Sequence, residues 1–402
     1  MNPHKTTQNT ISSLEPPSPS LSLVVILSLG TFIVFFQGFM VAPILPQLSS
    51  LFHISVRHVS FIEPAYLISY GFSTLLYAPL SDRYGRFPVI IFSISGFILL
   101  TACTGFVNNI NQMLLLRSLT GFITGGVAPT TIGWIGDRFP YEKRGHALGI
   151  FFGFMAGGTA FGSSSGALLT AFLGWKMLFW IVALIGLLIL AILLINHKNF
   201  TQEPVKAPFG LKSTITAYKN ILVLPRGWRT YMFVLFNSMF HSGVFAWAGY
   251  FFFKNYHLSE KGIGLALLGY GIPGLLLGPF LGKLADRYGR NRIIPIGICV
   301  GALSAFLLGM HYTLFFSCLF IATLSLGFDM THPLFAAIIT TLSRQKGVAI
   351  GLFAFVMFMG YGLGSLAFSL IVNLGLNESF KLFGLIAALG AVLSVFVFKN
   401  EK

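Results

Sequence analysis

Leu80-Ser81-Asp82-Arg83-Tyr84-Gly85-Arg86 returns almost letter for letter as Leu284-Ala285-Asp286-Arg287-Tyr288-Gly289-Arg290. The offset is 286 − 82 = 204, close to half of the 402 residues. The register also holds upstream, where Phe52-His53-Ile54-Ser55 answers Tyr256-His257-Leu258-Ser259. A long internal repeat governs every local reading that follows. The chain is one unit written twice, with a small charged loop at the same place in each copy.

Composition names the solvent. Hydrophobic residues make up 55% of the chain and charged ones 9%, which excludes an ordinary soluble globular protein. The apolar residues fall in runs of about 20, each long enough to cross a hydrocarbon core of about 30 Å. The net charge of +15 does not point to nucleic acid, because Lys and Arg sit at the ends of apolar runs. Cys103, Cys299 and Cys318 are widely spaced inside apolar runs, with neither a disulfide framework nor a metal spacing.

Residues 1–20 are polar and rich in Ser, Thr, Asn and Pro, and read as a disordered tail. Membrane helices are expected at 21–45, 57–80, 87–107, 112–135, 145–172 and 176–196. A polar connector at 197–228 separates them from a second set at 229–253, 262–282, 292–311, 313–340, 347–374 and 379–398. Within it, Phe209–Leu224 is either a helix along the membrane surface or an unstructured linker. The expected fold is an all-α membrane protein of twelve transmembrane helices in two pseudo-symmetric six-helix bundles, 21–196 and 229–398. Twelve crossings put both termini on one side. That side carries about twenty Lys and Arg against about five opposite, which makes it the cytoplasmic face of an inner (plasma) membrane.

With both loops in view, the chain resembles a major facilitator superfamily transporter, and its drug:proton antiporter branch in particular, over residues 21–398. The family's loop motif, Gly-x-Leu-Ala-Asp-Arg-x-Gly-Arg-Lys, is met from Gly282 to Asn291. In the first copy Ala78 replaces the leading Gly and Phe87 the trailing base. Leu114–Gly121 resembles the fourth-helix motif with its intramembrane arginine, here Arg117, with Thr120 in place of the usual Gln. Gly153, Gly157, Gly158 and Gly162 resemble the fifth-helix antiporter motif, with Gly158 in place of its proline and Phe161 in place of one glycine. Pro43-x-x-Pro46 resembles the end of the first helix, without the acid that many antiporters carry there. The resemblance implies two bundles around a central site, worked by alternating access, with Asp82, Arg83, Gly85, Arg86, Gly282, Asp286, Arg287, Gly289 and Arg290 forming a gating latch.

An ionisable group inside a membrane helix costs at least a few kcal/mol unless it faces a cavity or a partner, so the few present are candidates for proton coupling. Asp329 lies near mid-membrane with His332 three residues on, spaced to share a helix face, and Pro333 loosens the helix there. A structural Asp–His pair is the plain alternative. Arg117 falls in the outer half, where it either takes part in coupling or pairs with backbone carbonyls. Glu63 either does the same or closes a capping box with Ser60. His241 is the repeat partner of Gln37, at 241 − 204 = 37, and both are expected to face the central axis. Phe36, Phe240, Trp247 and Phe355 are the expected aromatic lining of a cargo cavity. The four fifth-helix glycines pack helices together or form a sliding contact between the halves.

The favoured function is proton-coupled efflux of a small amphipathic molecule or drug. Uptake of a metabolite or siderophore-like nutrient is the alternative, and a non-transporting membrane sensor a more distant one. No nucleophile–base pair, metal cluster or phosphate loop suggests an enzyme. No cofactor is expected beyond a proton gradient, and the partners are small-molecule substrate, protons and lipid bilayer, with no nucleic acid and a monomeric state.

Overall fold

The computed structural model describes residues 20–139, 141–200, 211–339, 341–342 and 346–401. The expected tail at 1–20 and the middle of the connector fall outside these residues, apart from Ser20. The side chains of Asp82 and Asp286, and Gly282, also lie outside the description. In the first half the helices are α1 (Leu21–Phe39), α2 (Leu45–Phe52), α3 (Val56–Val59), α4 (Ile62–Tyr84), α5 (Arg86–Thr104), α6 (Ile110–Thr124), α7 (Val127–Arg138), α8 (Tyr141–Leu173) and α9 (Trp175–Ile195). The connector holds α10 (His197–Phe200) and α11 (Leu211–Val223), so its described part is helical rather than unstructured. The second half holds α12 (Pro225–Ala246), α13 (Ala248–Tyr256), α14 (Glu260–Leu267), α15 (Ile272–Tyr288), α16 (Arg290–Leu308), α17 (Leu314–Asp329), α18 (His332–Ile339), α19 (Lys346–Ile371) and α20 (Leu376–Val397).

The repeat is built into the backbone. α2 ends on His53 and α13 on His257, both left-handed, with φ of 54° and 53°. Ser55 and Ser259 then start the next helices, each hydroxyl accepting from a backbone N–H three residues on. At the opposite side Gly85 (φ 94°, ψ 149°) and Gly289 (φ 87°, ψ 146°) turn the chain between consecutive helices, in a region that only glycine occupies without strain. The expected fourth and tenth spans are each broken, at Gly125-Gly126 and, one residue later in the repeat register, at Met330-Thr331. Pro129 and Pro333 follow at the same offset. Lacking an N–H, each leaves the carbonyl four residues earlier without its helix bond.

Packing repeats as well. Within each half the first helix lies against the fifth span, α1 on α8 and α12 on α19. Methyls added at Gly158, Gly162 and Gly166 would lie 2.5, 2.4 and 2.2 Å from the carbonyl oxygens of Phe32, Phe36 and Met40. These glycines are what lets α1 and α8 approach so closely. They do not slide between halves, as one reading of the sequence had it. Gly158 and Gly162 are buried in a contact inside one half, Gly157 meets Phe32 at ordinary distance, and Gly153 faces open space. The halves meet instead through α4 on α19 and α8 on α14, a seam that respects the repeat. Gly71 there meets the backbone of Phe355 and Met359.

Among the described residues, seven segments are long and apolar enough to cross a membrane: those beginning at Leu21, Arg86, Trp175, Arg290, Leu314, Val348 and Leu376. The other five expected crossings fall on α4, α6–α7, α8, α12–α13 and α14–α15.

Candidate functional site

A cavity of about 260 Å³ lies between the halves, walled by α1, α4, α7 and α8 from one and by α18 and α19 from the other. Its lining positions on α7 and α8 fall toward the Gly85 and Gly289 loops. Toward the His53 and His257 turns (the far side) a separate cleft of about 330 Å³ opens between Pro43–Ser50 and Phe253–Ile263, and between it and the cavity the halves touch. Phe39 packs against Phe245 and Tyr361 at 6.5 and 6.2 Å, and Gly249 is pressed onto Pro43. The cavity therefore belongs to the loop side.

Of the expected lining, none of the five residues reaches it. Phe36 lies against α8 beneath Gly162, and Phe240 packs over Gly301. Trp247 stacks on Phe368 at 5.5 Å, and Phe355 meets Phe72 at 5.5 Å. Gln37 is taken up by Arg117. Close neighbours line the cavity in their place: Phe35, Phe353 and Phe358. A step of one residue turns a helix by about 100°, which residue type alone does not reveal.

Arg117 is fully buried and fans out over the end of α1. It donates to the carbonyls of Gln37 (3.2 Å) and Gly38 (3.0 Å) and to Gln37 Oε1 (2.8 Å), and more weakly to the Ile62 carbonyl (3.4 Å). Its guanidinium also lies 4.2 Å from the centre of the Tyr66 ring. α1 stops at Phe39, so Gln37 and Gly38 belong to its last turn, whose carbonyls lack helical partners. Of the two readings for Arg117, the carbonyl pairing is what the structure displays. Glu63 is also buried, and neither carboxylate oxygen has a hydrogen-bond partner. The capping box with Ser60 does not form, because the Ser60 hydroxyl donates to the Arg57 carbonyl instead.

Asp329 and His332 do not share a helix face. Two turn residues separate α17 from α18, so the two side chains belong to different helices. Asp329 accepts from the Ser325 hydroxyl at 3.1 Å and lies against Gly274, where an added methyl would sit 2.8 Å from its Oδ2. His332 instead stacks on Phe328 at 4.6 Å, and His241 covers that ring's other neighbourhood at 4.2 Å. His241 is hydrogen-bonded to the Tyr270 hydroxyl. Gln37 is thus held by Arg117, and His241 by Tyr270 and Phe328.

The 204-residue offset exposes partners that residue type did not suggest. Tyr66 maps to Tyr270, and each holds a polar group of its half's first helix, the Val34 carbonyl or His241. Gly125 maps to Asp329 and Tyr70 to Gly274. In the first half a glycine at the break packs on α4 beside Ser73 and Tyr70; in the second an acid at the break packs on a glycine.

The loops match too. Arg83 lies 5.3 Å from the Tyr84 ring, and Arg287 lies 5.4 Å from Tyr288. Arg86 donates to Asp137 at 3.1 Å, tying the start of α5 to the end of α7. At the chain's end Glu401 accepts from Arg226 and Arg229 at 2.6–2.8 Å, and its own carbonyl accepts from Asn291 N at 2.8 Å. Those bonds hold its carboxyl below the usual range.

The sequence profile of the Major Facilitator Superfamily matches residues 27–259 and again 244–402. The chain belongs to the Major Facilitator Superfamily. As a member it is a multi-pass membrane transporter and not an enzyme. It is 28% identical to the uncharacterized MFS-type transporter YwfA of Bacillus subtilis, over 94% of this chain and 93% of that one. It is also 28% identical to the multi-drug resistance efflux pump PmrA homolog of Lactococcus lactis, over 60% and 59% of the two chains. Its fold is that of a bacterial homolog of the lysosomal transporter Spinster, solved inward-facing and unoccupied. The TM-score is 0.73 at 17% identity, covering 95% of this chain and 98% of that one.

Proposed function

We propose that this transporter exports a small amphipathic molecule from the cytoplasm in exchange for protons, with Asp329 as the proton carrier. The observation that carries the reading is the setting of that carboxylate. Among the described residues only Ser325 donates to it and no cation lies within 4 Å, and it sits at the helix break four residues before Pro333, a wall of the cavity. An acid placed in a membrane bundle without a cation is a site for a proton rather than a strut. A proton arriving at Asp329 is felt at the break, and the break is part of the cavity. The lysine and arginine balance makes the loop side cytoplasmic, so the cavity takes its cargo from within. The efflux names among relatives, such as the tetracenomycin C resistance and export protein of Streptomyces glaucescens, support the direction. The twelve-span, two-bundle organisation supplies the rocking halves. The paired Asp82 and Asp286 loops serve as the latch on that motion, Arg117 and Glu63 as a second charged locus in the first half, and His241 and His332 as its counterpart.

The test is transport into inside-out vesicles. The parent should accumulate cargo when the lumen is acidified, and Asp329→Asn should bind cargo but not concentrate it. If Asp329→Asn pumps as well as the parent, Asp329 is not the carrier.

A further inference from the structure

The cavity has an unusual chemical monotony. Eighteen side chains wall it, and none of them carries a charge. The walls are aromatic rings, methionines, prolines and aliphatics. Tyr70 Oη is their one oxygen or nitrogen donor. Tyr70 is 1% exposed, and its hydroxyl has no hydrogen-bond partner. The hydroxyl oxygen lies beside the backbone N–H of Ala128, itself a cavity wall, outside hydrogen-bond geometry; an N–H can only donate, so the hydroxyl's own proton is left without an acceptor. A buried hydroxyl left unbonded is destabilising, and a ligand acceptor that reaches it removes that penalty.

The ring of Tyr70 is held edge-on by Phe35 at 6.2 Å and lies 4.2 Å from Phe358, so the hydroxyl is fixed in place. Two buried charges among the described residues are directed elsewhere. Arg117 is spent on the end of α1, and Asp329 faces Gly274 and Ser325. Among the lining side chains a cation would find no carboxylate, and an anion no base. Burial of an unpaired charge in such surroundings is strongly unfavourable.

We infer that the cavity selects an uncharged, flat, largely aromatic molecule with one hydrogen-bond acceptor, which receives the proton of Tyr70 Oη. The volume of about 260 Å³ suits a fused system of about three rings. Cargo recognition and proton binding then occupy separate places, so a weak base enters only in its neutral form. This rests on the reading of the cavity as the cargo site.

The experiment uses purified full-length protein and two fluorescent probes of one skeleton: acridine, neutral at pH 7.5 with one ring-nitrogen acceptor, and N-methylacridinium, permanently cationic with none. Binding is read by fluorescence titration, with chromatographic homogeneity as the check on folding. The parent should bind acridine at least about tenfold more tightly than the cation. Tyr70→Phe should weaken acridine about five- to tenfold and leave the cation unchanged. Ala354→Phe, and Ala336→Leu as a smaller filling change, should abolish or reduce acridine binding. If the cation binds as tightly as acridine and both filling variants remove it, the cavity remains the cargo site and the selectivity is wrong. If neither filling variant affects either probe, the cargo-site reading fails and this inference with it.

Discussion

Removing Arg117 should cost this protein more than any other single polar change in its first half. Three of its hydrogen bonds are short enough to be strong, at 2.8, 3.0 and 3.2 Å, and all go to groups that have no solvent. Charged hydrogen bonds contribute about 1.5–3 kcal/mol each, and such terms do not add in a shared cluster. Breaking a buried charged constellation from one side costs about 3–5 kcal/mol. Arg117→Met is therefore expected to destabilise by about 3–5 kcal/mol, because the last carbonyls of α1 and Gln37 Oε1 are left bare. Arg117→Lys keeps the charge and loses the fork, so about half of that loss is expected. Equilibrium unfolding of detergent-purified protein is the assay, run as a double-mutant cycle with Gln37→Leu. The 2.8 Å bond between the two should appear as a coupling of about 1.5–3 kcal/mol. An Arg117→Met protein as stable as the parent, or two effects that add within about 0.5 kcal/mol, would refute the capping role.

Gly364→Ala brings a methyl to 2.0 Å from the Met239 carbonyl oxygen, and should separate α19 from α12 at a cost of about 1–3 kcal/mol in the same unfolding assay. Gly85→Ala and Gly289→Ala place a side chain at φ near 90°, and each should slow transport in vesicles while the protein still reaches the membrane; unchanged rates would mean the loops do not move. Neutralising both Asp82 and Asp286 to Asn should likewise impair transport, and parental rates in that double variant would end the latch proposal. Glu401 has its carboxyl held below the ordinary 4.5, first by the hydrogen bond from Arg226, so the folded value is the lower one. Its contribution is complete above 4.5 and disappears as pH falls through the depressed value. Glu401→Gln should therefore melt lower than the parent at neutral pH and converge with it in acid; a gap that persists in acid would contradict this.

What could be read from residues alone was whatever repeats or carries backbone instructions. The 204-residue offset located both loops and paired His53 with His257 and Ser55 with Ser259, positions that the structure shows to be left-handed turns and helix caps. The helix inventory followed from the apolar runs. Which way a side chain points did not follow. Phe36, Phe240, Trp247 and Phe355 are the right type on the right helices, but the cavity takes Phe35, Phe353 and Phe358. Asp329 and His332 were expected together because spacing assumes an unbroken helix, and Pro333 breaks it between them. Tyr66, Tyr70 and Tyr270 were legible in principle. Carrying the offset through every polar residue, rather than through the charged loops and Gln37 alone, pairs Tyr66 with Tyr270 and sets Tyr70 opposite a glycine.

The exchange of Gly125 and Tyr70 for Asp329 and Gly274 restricts how two copies of one unit could have diverged. An aspartate introduced at 125 would drive its first carbon to within 1.9 Å of the Ser73 hydroxyl, and a tyrosine introduced at 274 would meet the Asp329 carboxylate. Neither copy can be turned into the other by one substitution at this contact. A glycine on both sides is the common intermediate that either half could pass through without a clash. A chain carrying Tyr70→Gly together with Asp329→Gly should consequently fold, have two interchangeable halves at this contact, and move nothing uphill.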